Sequence, residues 1–489
     1  MMLRLGMLLL ALFAPCVGAI PEGEAPPAPP EREDREAHLE AAWLRAWEAE
    51  SYAEAAELLD ELLTLRPTDK FVAYNLACAR AQVGDVDAAA ETLLDALSLG
   101  FVDFHHMQRD ESLTPLHADH RWRAILENWS RLLDTRADAE LQAMEKAFGG
   151  GYVTDRSAEL RLNYVAAFAP PEFEAAQQEI RRVAAWVGRI MPIAPEDDPQ
   201  PDPWVTVILP TQEDFVRLIG IGRVGGIYDK DAKRLVSRDI GPSLRHEFVH
   251  VLHWRHMDRL GQRHPIWLQE GLASLVEDIE ERGAEGMRIR PSWRTNIASR
   301  LARGARLTPW SRLFAMERDD FVLRRPRANY AQARAVVLFL HEQGKLGVWY
   351  RTYVDRFDED ATGLRAFEEV FDLPARDVER QYRVWLAELE QVADIDRPGA
   401  ASLGIALSPG RGDGPMVDQV VSMIPGEVGG RPGERLRFRD VITAIDGTSL
   451  RTLDELYRLL GAYDECSELG LARASTQAAR RASPGSRDD

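Results

Sequence analysis

Cysteine is nearly missing from this chain: Cys16, Cys78 and Cys466 are the only three in 489 residues. So few thiols, so far apart, exclude a disulfide framework and a cysteine-built metal site. Positive charge is also short. Sixty Lys and Arg face 79 Asp and Glu, a formal net charge of −19. No broad basic field is available to attract phosphates, so nucleic acid is not an expected partner. Long apolar runs are missing too: nothing approaches the roughly 20 apolar residues of a membrane-spanning helix, so no integral membrane segment is expected. The one apolar run near the start, Leu5 to Phe13, follows Arg4 and precedes Val17-Gly18-Ala19. A positive start, a short apolar core and small residues at the cut predict a secretory signal over residues 1–19. The expected product is an exported protein, periplasmic or extracellular. Phe13-Ala14-Pro15 is a poor approach to lipid attachment at Cys16. Cys78 lies in an apolar helical pattern and is expected to be a small core residue.

What is present divides into several segments, and the length predicts about three domains. Residues 20–36 are rich in proline and charge and are expected to form a linker. From about residue 37 to 135 the pattern is helical with an internal period. Ala42 pairs with Leu76, Ala55 with Ala89 and Leu59 with Leu93, each 34 positions apart. That spacing, with Tyr74 to Ala79 and Gly84-Asp85, resembles a tetratricopeptide (TPR) repeat. Two repeats are short, so helices near Leu113 to Leu133 are expected to cap them. Such a module binds a peptide partner, docks on its neighbour or serves as a spacer. Residues 150–200 combine a strand-like alternation at Leu160, Leu162 and Tyr164 with a helix near Phe173 to Val187.

The chemistry is concentrated in two short stretches. Residues 246 to 250 read His-Glu-Phe-Val-His, and Glu270 follows twenty positions after His250 within Trp267-Leu268-Gln269-Glu270-Gly271-Leu272-Ala273. Histidines at i and i+4 share one helix face, so His246 and His250 can reach one metal ion. Zn²⁺ takes imidazole nitrogen and carboxylate oxygen tetrahedrally, and a catalytic site keeps one position for water. Glu247 is placed to act on that water as general base. Leu244, Phe248, Val249, Val251 and Leu252 predict that this helix is buried.

Two residues compete for the third ligand position. His256 completes the outer histidines of HExxHxxGxxH, but that pattern turns the chain at a glycine, and His253 stands there. If the helix continues, His256 rotates about 120° from His250, and His253 lies roughly 10 Å beyond His246 along the axis. Glu270 sits amid an apolar helical stripe, where a carboxylate is costly unless paired or bound to metal. The residues therefore favour Glu270, leaving His253, His256 and His264 to line the cleft or the surface.

The two motifs at this spacing resemble the gluzincin metallopeptidases, and within them the bacterial peptidase MA-like proteins. The likeness covers roughly Asp202 to Leu389. It implies a thermolysin-like domain over residues 150–395, a small sheet plus a helical half, holding one Zn²⁺ through His246, His250 and Glu270. It implies a partner role for Glu277 toward a zinc ligand. Pro203 to Leu209 reads as a strand before the active-site helix. Tyr330, opening Tyr330 to Val336, is similar to the tyrosine that holds the oxyanion in aminopeptidase-type members; an ordinary core tyrosine fits equally well. The aminopeptidase glutamate that grips a free amine has no counterpart in Gly225-Gly226-Ile227-Tyr228-Asp229. An endopeptidase acting on a peptide or protein substrate is therefore expected, with substrate contacts at Gly226 and Tyr228. Beyond Glu277 the chain reads as helical, including Ala333 to Glu342, Gly347 to Phe357 and Val378 to Val392.

Gly220 to Gly225 fits GxGxxG, but it follows a helical pattern and leads into a strand, the reverse of a dinucleotide site, so a loop is expected. After Pro398, Leu403 to Leu407, Asp440 to Gly447 and a helix at Leu453 to Leu460 resemble a PDZ domain over residues 400–463, a peptide-capturing fold. Its final strands have no counterpart in the pattern, and residues 464–489 read as a disordered tail. The expected fold is multidomain α+β. The expected function is a zinc-dependent metallopeptidase. The competing reading is a non-catalytic peptide-binding scaffold whose TPR and PDZ modules do the work around a structural or idle zinc.

Overall fold

A computed structural model describes residues 30–193, 200–219, 225–281 and 287–392, with 405–408, 416–420, 440–445, 447–450, 455–456 and 471–475 beyond them. The chain is mostly helical around a small mixed sheet, with further short sheets. This is compatible with the α+β expectation. The segment expected to be a signal lies outside the described residues, as do 220–224 of the glycine-rich loop, 429–439 and Cys466.

Four helices open the fold: α1 (Pro30–Glu48), α2 (Tyr52–Leu65), α3 (Lys70–Val83) and α4 (Val86–Ser98). Each packs on the next. Of the pairs spaced by 34, Ala55 with Ala89 and Leu59 with Leu93 are buried, while in the first pair Leu76 is buried and Ala42 only half-buried. Cys78 is buried and free. The expected linker is corrected at its end, because α1 begins at Pro30. Proline is tolerated in a first turn, where its missing N–H costs no bond. Next come α5 (Phe104–Arg109), a short 3₁₀ turn at Glu111–Leu116, α6 (His120–Glu127) and α7 (Trp129–Phe148).

The boundary expected at residue 135 is also corrected, because α7 runs on to Phe148 and lies against the main sheet. That sheet is built from β1 (Val153–Ser157), β2 (Leu162–Ala166), β3 (Val205–Leu209), β4 (Gly226–Asp229) and β5 (Arg234–Ser237), in the order β1-β2-β3-β5-β4. β2, β3 and β5 run parallel, with Val207 beside Tyr164 and Leu235. β1 and β4 pair antiparallel at the edges. Every residue of β2 and β3 is buried, as expected when helices cover both faces of parallel strands. On one face Met144 of α7 and Phe215 of α9 (Gln212–Ile219) pack on Val165, Ile208 and Val236. On the other, Ile180 of α8 (Pro170–Val187) and Phe248 of α10 (Pro242–Leu260) join Tyr164, Val207 and Leu235.

The remaining helices form a second half against α10. They are α11 (Ile266–Leu275), α12 (Trp293–Arg303), α13 (Trp310–Leu313), α14 (Arg318–Leu323), α15 (Pro326–Glu342), α16 (Leu346–Asp355), α17 (Leu364–Phe371) and α18 (Ala375–Glu388). The all-helical expectation beyond Glu277 is corrected here. β6 (Ile279–Glu281) and β7 (Met287–Ile289) form a hairpin with Ile279 opposite Ile289. Strands of three residues are too short to leave a readable alternation.

Toward the C-terminus are β8 (Ile405–Ser408), β9 (Met416–Val420), β10 (Asp440–Ile445), β11 (Thr448–Ser449) and β12 (Leu471–Ser475). β12 pairs antiparallel with β10 along its length. This corrects two expectations: residues 471–475 are not a disordered tail, and the strand order does not stop at 463. A ladder is held by backbone hydrogen bonds, which no side-chain pattern need announce. Of the helix expected at Leu453 to Leu460, Glu455 and Leu456 are described, and both are helical. Among the described residues no helix is long and apolar enough to cross a membrane.

Candidate metal centre

The site grows from the N-terminus of α10. Asp239 is buried, and its Oδ1 accepts from the N–H groups of Gly241 (2.8 Å) and Ser243 (3.1 Å), satisfying donors that the first helical turn leaves free. The helix then runs unbroken through position 253 to Leu260. His246 and His250 therefore stay on one face, with Nε2 atoms 3.1 Å apart.

Arg245, next to the first histidine, is buried and ties three elements together. Its guanidinium donates to Val276 O (2.6 Å), to Glu277 O (2.5 Å) and to Glu179 Oε1 on α8 (2.5 Å). It thus anchors the end of the Glu270 segment to the histidine helix. A second device sets the height of α11. A Cβ at Gly271 would meet Val337 Cγ2 at 2.7 Å and Ala333 O at 2.9 Å. Only glycine lets α11 lie that close to α15. Glu270 precedes it and points at both histidines, with Oε2 at 3.4 Å from His246 Nε2 and 3.6 Å from His250 Nε2.

These three atoms can hold a metal ion. Ligands about 2.0–2.1 Å from a tetrahedral ion stand roughly 3.3 Å apart; the observed edges are 3.1, 3.4 and 3.6 Å. The donor chemistry agrees. His246 Nδ1 lies 2.9 Å from Glu277 Oε1. A carboxylate only accepts, so Nδ1 carries a proton; Nε2 faces the triangle, and its lone pair becomes a donor once a metal ion displaces the proton that the carboxylates hold there. Glu277 is itself gripped by Arg294, whose Nε and Nη2 donate at 2.7 and 3.1 Å. Charge balance supports a cation. Burial alone would lower His246, but hydrogen bonds to Glu270 and Glu277 push it up to about 10. Burial raises Glu270, yet His250 and His246 hold it well below the usual carboxylate range. These carboxylates draw a positive charge onto the triangle, and a metal ion supplies one.

Glu247 is half-buried beside the triangle. Burial raises its carboxyl, with His246 and His250 opposing, and the net shift is upward. A raised acid suits proton transfer near neutrality. β4 lies against it: a Cβ at Gly226 would meet Glu247 Cγ at 2.9 Å, and the backbone of Tyr228 hydrogen-bonds the carboxylate. Both residues expected to contact substrate therefore border Glu247, Gly226 through its missing side chain and Tyr228 through its backbone. The charges acting on the Tyr228 phenol are instead Lys233, Arg255, Asp258 and Asp103. Tyr330 comes from the start of α15, with the Arg294 guanidinium 5.7 Å from its ring centroid. Burial raises its phenol, and the Glu270 and Glu247 charges add to the shift.

His253, His256 and His264, expected to line the cleft or the surface, are instead buried, because aromatic residues of α16 cover them. His256 Nδ1 meets Tyr350 OH at 2.9 Å, and His253 Nε2 meets His264 Nδ1 at 2.7 Å. Neither joins the triangle. Sequence reasoning missed Arg245, Asp239 and Arg294. Arg245 carried a signal, since a charge within a buried helical face must find partners. Arg294 carried none, because its partner lies across a hairpin.

No family model matches the chain, and no curated protein matches it.

Proposed function

We propose that the chain is an exported zinc-dependent metallopeptidase, acting as an endopeptidase. The observation that carries this is the His246–His250–Glu270 triangle with Glu247 beside it. Two nitrogens and one carboxylate suit zinc better than the oxygen-seeking Mg²⁺ or Ca²⁺. A bound zinc ion would supply Lewis acidity toward water and a peptide carbonyl.

The protein's own residues would do the rest. Glu247 takes a proton from the attacking water and returns it to the leaving amine nitrogen. Glu277 keeps His246 in the tautomer that a metal needs. Tyr330 donates a hydrogen bond to the oxyanion of the tetrahedral intermediate. Among the described residues β4 pairs with β5 alone and is an end strand of its sheet. Its outer edge offers backbone groups that align an extended peptide. The short β4 segment has no acidic side chain between Gly225 and Tyr228 to grip a free amine, which favours internal cleavage. The N-terminal helices and C-terminal strands fit TPR-like and PDZ-like roles in holding protein substrates.

A scaffold with an idle metal is the competing reading, and the position of Glu247 beside the triangle speaks against it, since a structural metal needs no base. Purified full-length protein, metal analysis and cleavage of an unfolded protein decide between them. One zinc per chain, chelator-sensitive cleavage, and retained zinc with activity lowered about 10²–10⁴-fold in Glu247→Gln are expected. Stoichiometric zinc without turnover, or a fully active Gln variant, would overturn the proposal.

A further inference from the structure

We infer that the N-terminal helical module positions the strand that lies on Glu247, with Asp103 and Lys233 as the linking pair. The consequence for catalysis rests on the metallopeptidase reading; the geometry does not.

β4 and β5 are joined by a turn that ends at Lys233, held at φ +55°, a left-handed conformation uncommon outside glycine. Two bonds from the helical module hold this turn. Lys233 Nζ lies 2.5 Å from Asp103 Oδ1, just before α5, with side chains 12% and 19% exposed. Lys70, the first residue of α3, donates to Asp231 O at 2.6 Å. Burial opposes the Lys233 charge, and Asp103 more than offsets it. The same Asp103 and Lys233 charges act on the phenol of Tyr228, whose backbone bonds Glu247. A short path therefore runs from Asp103 through Lys233 and Tyr228 to the catalytic acid.

A second clamp acts on the histidine helix. Arg109 of α5 donates to the carbonyls of Asp258 and Arg259 in the last turn of α10. The module thus holds the turn behind the strand and the far end of the helix that carries Glu247, about three turns from it. A domain that only captured a distant peptide would need neither bond.

A cavity of about 50 Å³, lined in part by Lys70, Arg136, Trp204 and Lys233, sits at this seam. It has room for water, so breaking the pair loosens the turn locally rather than collapsing the core.

The test uses the full-length, zinc-loaded protein with Asp103→Asn, and Lys70→Met as a second variant should the first fold poorly. Three quantities are read: zinc content, kcat and KM on an unfolded protein substrate, and amide hydrogen exchange of residues 226–229. Zinc content should not change. KM should rise about 5–10-fold with kcat within about twofold, because a displaced strand weakens substrate alignment more than the chemistry. Exchange in β4 should quicken about tenfold. Lys233→Arg keeps the charge and should stay near wild type. An unchanged KM, or a KM change without faster exchange, would overturn the inference. If the wild-type protein turns nothing over, the peptidase reading fails by itself; exchange in β4 then decides, and an unaltered rate overturns the inference.

Discussion

His246 and His250 occupy the first half of α10, and His253 and His256 the second. The first pair faces Glu270 and Glu277, and His246 is pushed up to about 10. The second pair, with His264, packs in tilted and edge-on contacts among Tyr350, Tyr353 and Phe357. Burial there holds His256 down to about 4 and His264 to about 3, and places His253 well below the ordinary range. One residue type on one helix thus has opposite preferences for positive charge. The carboxylate wall makes the difference: at His246 the hydrogen-bonded Glu270 and Glu277 outweigh the desolvation, whereas at His256 the pull of Asp202 does not.

The sharpest way to break this contrast is to remove the wall. Glu270→Ala should abolish stoichiometric metal binding and with it all cleavage. It should weaken the metal by more than the roughly 10–100-fold typical of losing an outer partner. Metal titration followed by calorimetry checks this, and wild-type affinity in the variant would mean Glu270 is not a ligand. Glu277→Ala should fall within that roughly 10–100-fold range, since His246 keeps its place but loses the partner that fixes its tautomer. An unaltered affinity would reduce Glu277 to a support for Arg294.

The aromatic half is tested by pH. His256 titrates near 6.5 when unfolded and at about 4 when folded. Between those values the unfolded chain binds the extra proton, so stability is full above about pH 6.5 and declines as pH falls toward 4. One such group contributes about 1.4 kcal/mol per pH unit in that window. His256→Phe should make the acid loss of stability shallower by that amount. Urea unfolding at several pH values between 7 and 4.5 would show it; parallel curves for variant and wild type would refute it.

The first half of α10 was legible from spacing alone. Helical periodicity puts His246 and His250 on one face, and histidine instead of glycine at 253 disfavours a sharp turn there; the helix does continue. The second half was legible only as an exclusion. That His256 seeks Tyr350, 94 residues away, and His253 seeks His264 across a turn could not be read from local pattern. Five of the six residues in the pairs spaced by 34 are buried, Ala42 being half-buried, since side chains at helix contacts leave a periodic trace. The ends of segments were less legible. α7 crosses the expected boundary at 135 because its far half buries Met144 on the sheet, a contact defined by strands that follow it.

By itself the sequence put His246 and His250 on one helix face, favoured Glu270 over His256 beside them, and marked most of the buried period of the opening helices. These depend on residue type and on spacings within one or two turns, where backbone geometry leaves little choice. Tertiary structure alone decided the rest. It brought Glu270 within 3.4 and 3.6 Å of the two histidines, bound Glu277 to Arg294 and joined Asp103 to Lys233. Those pairings span from 17 to 130 residues, and their partners are chosen by which faces must be buried together. Burial is a property of the whole chain, not of any window within it.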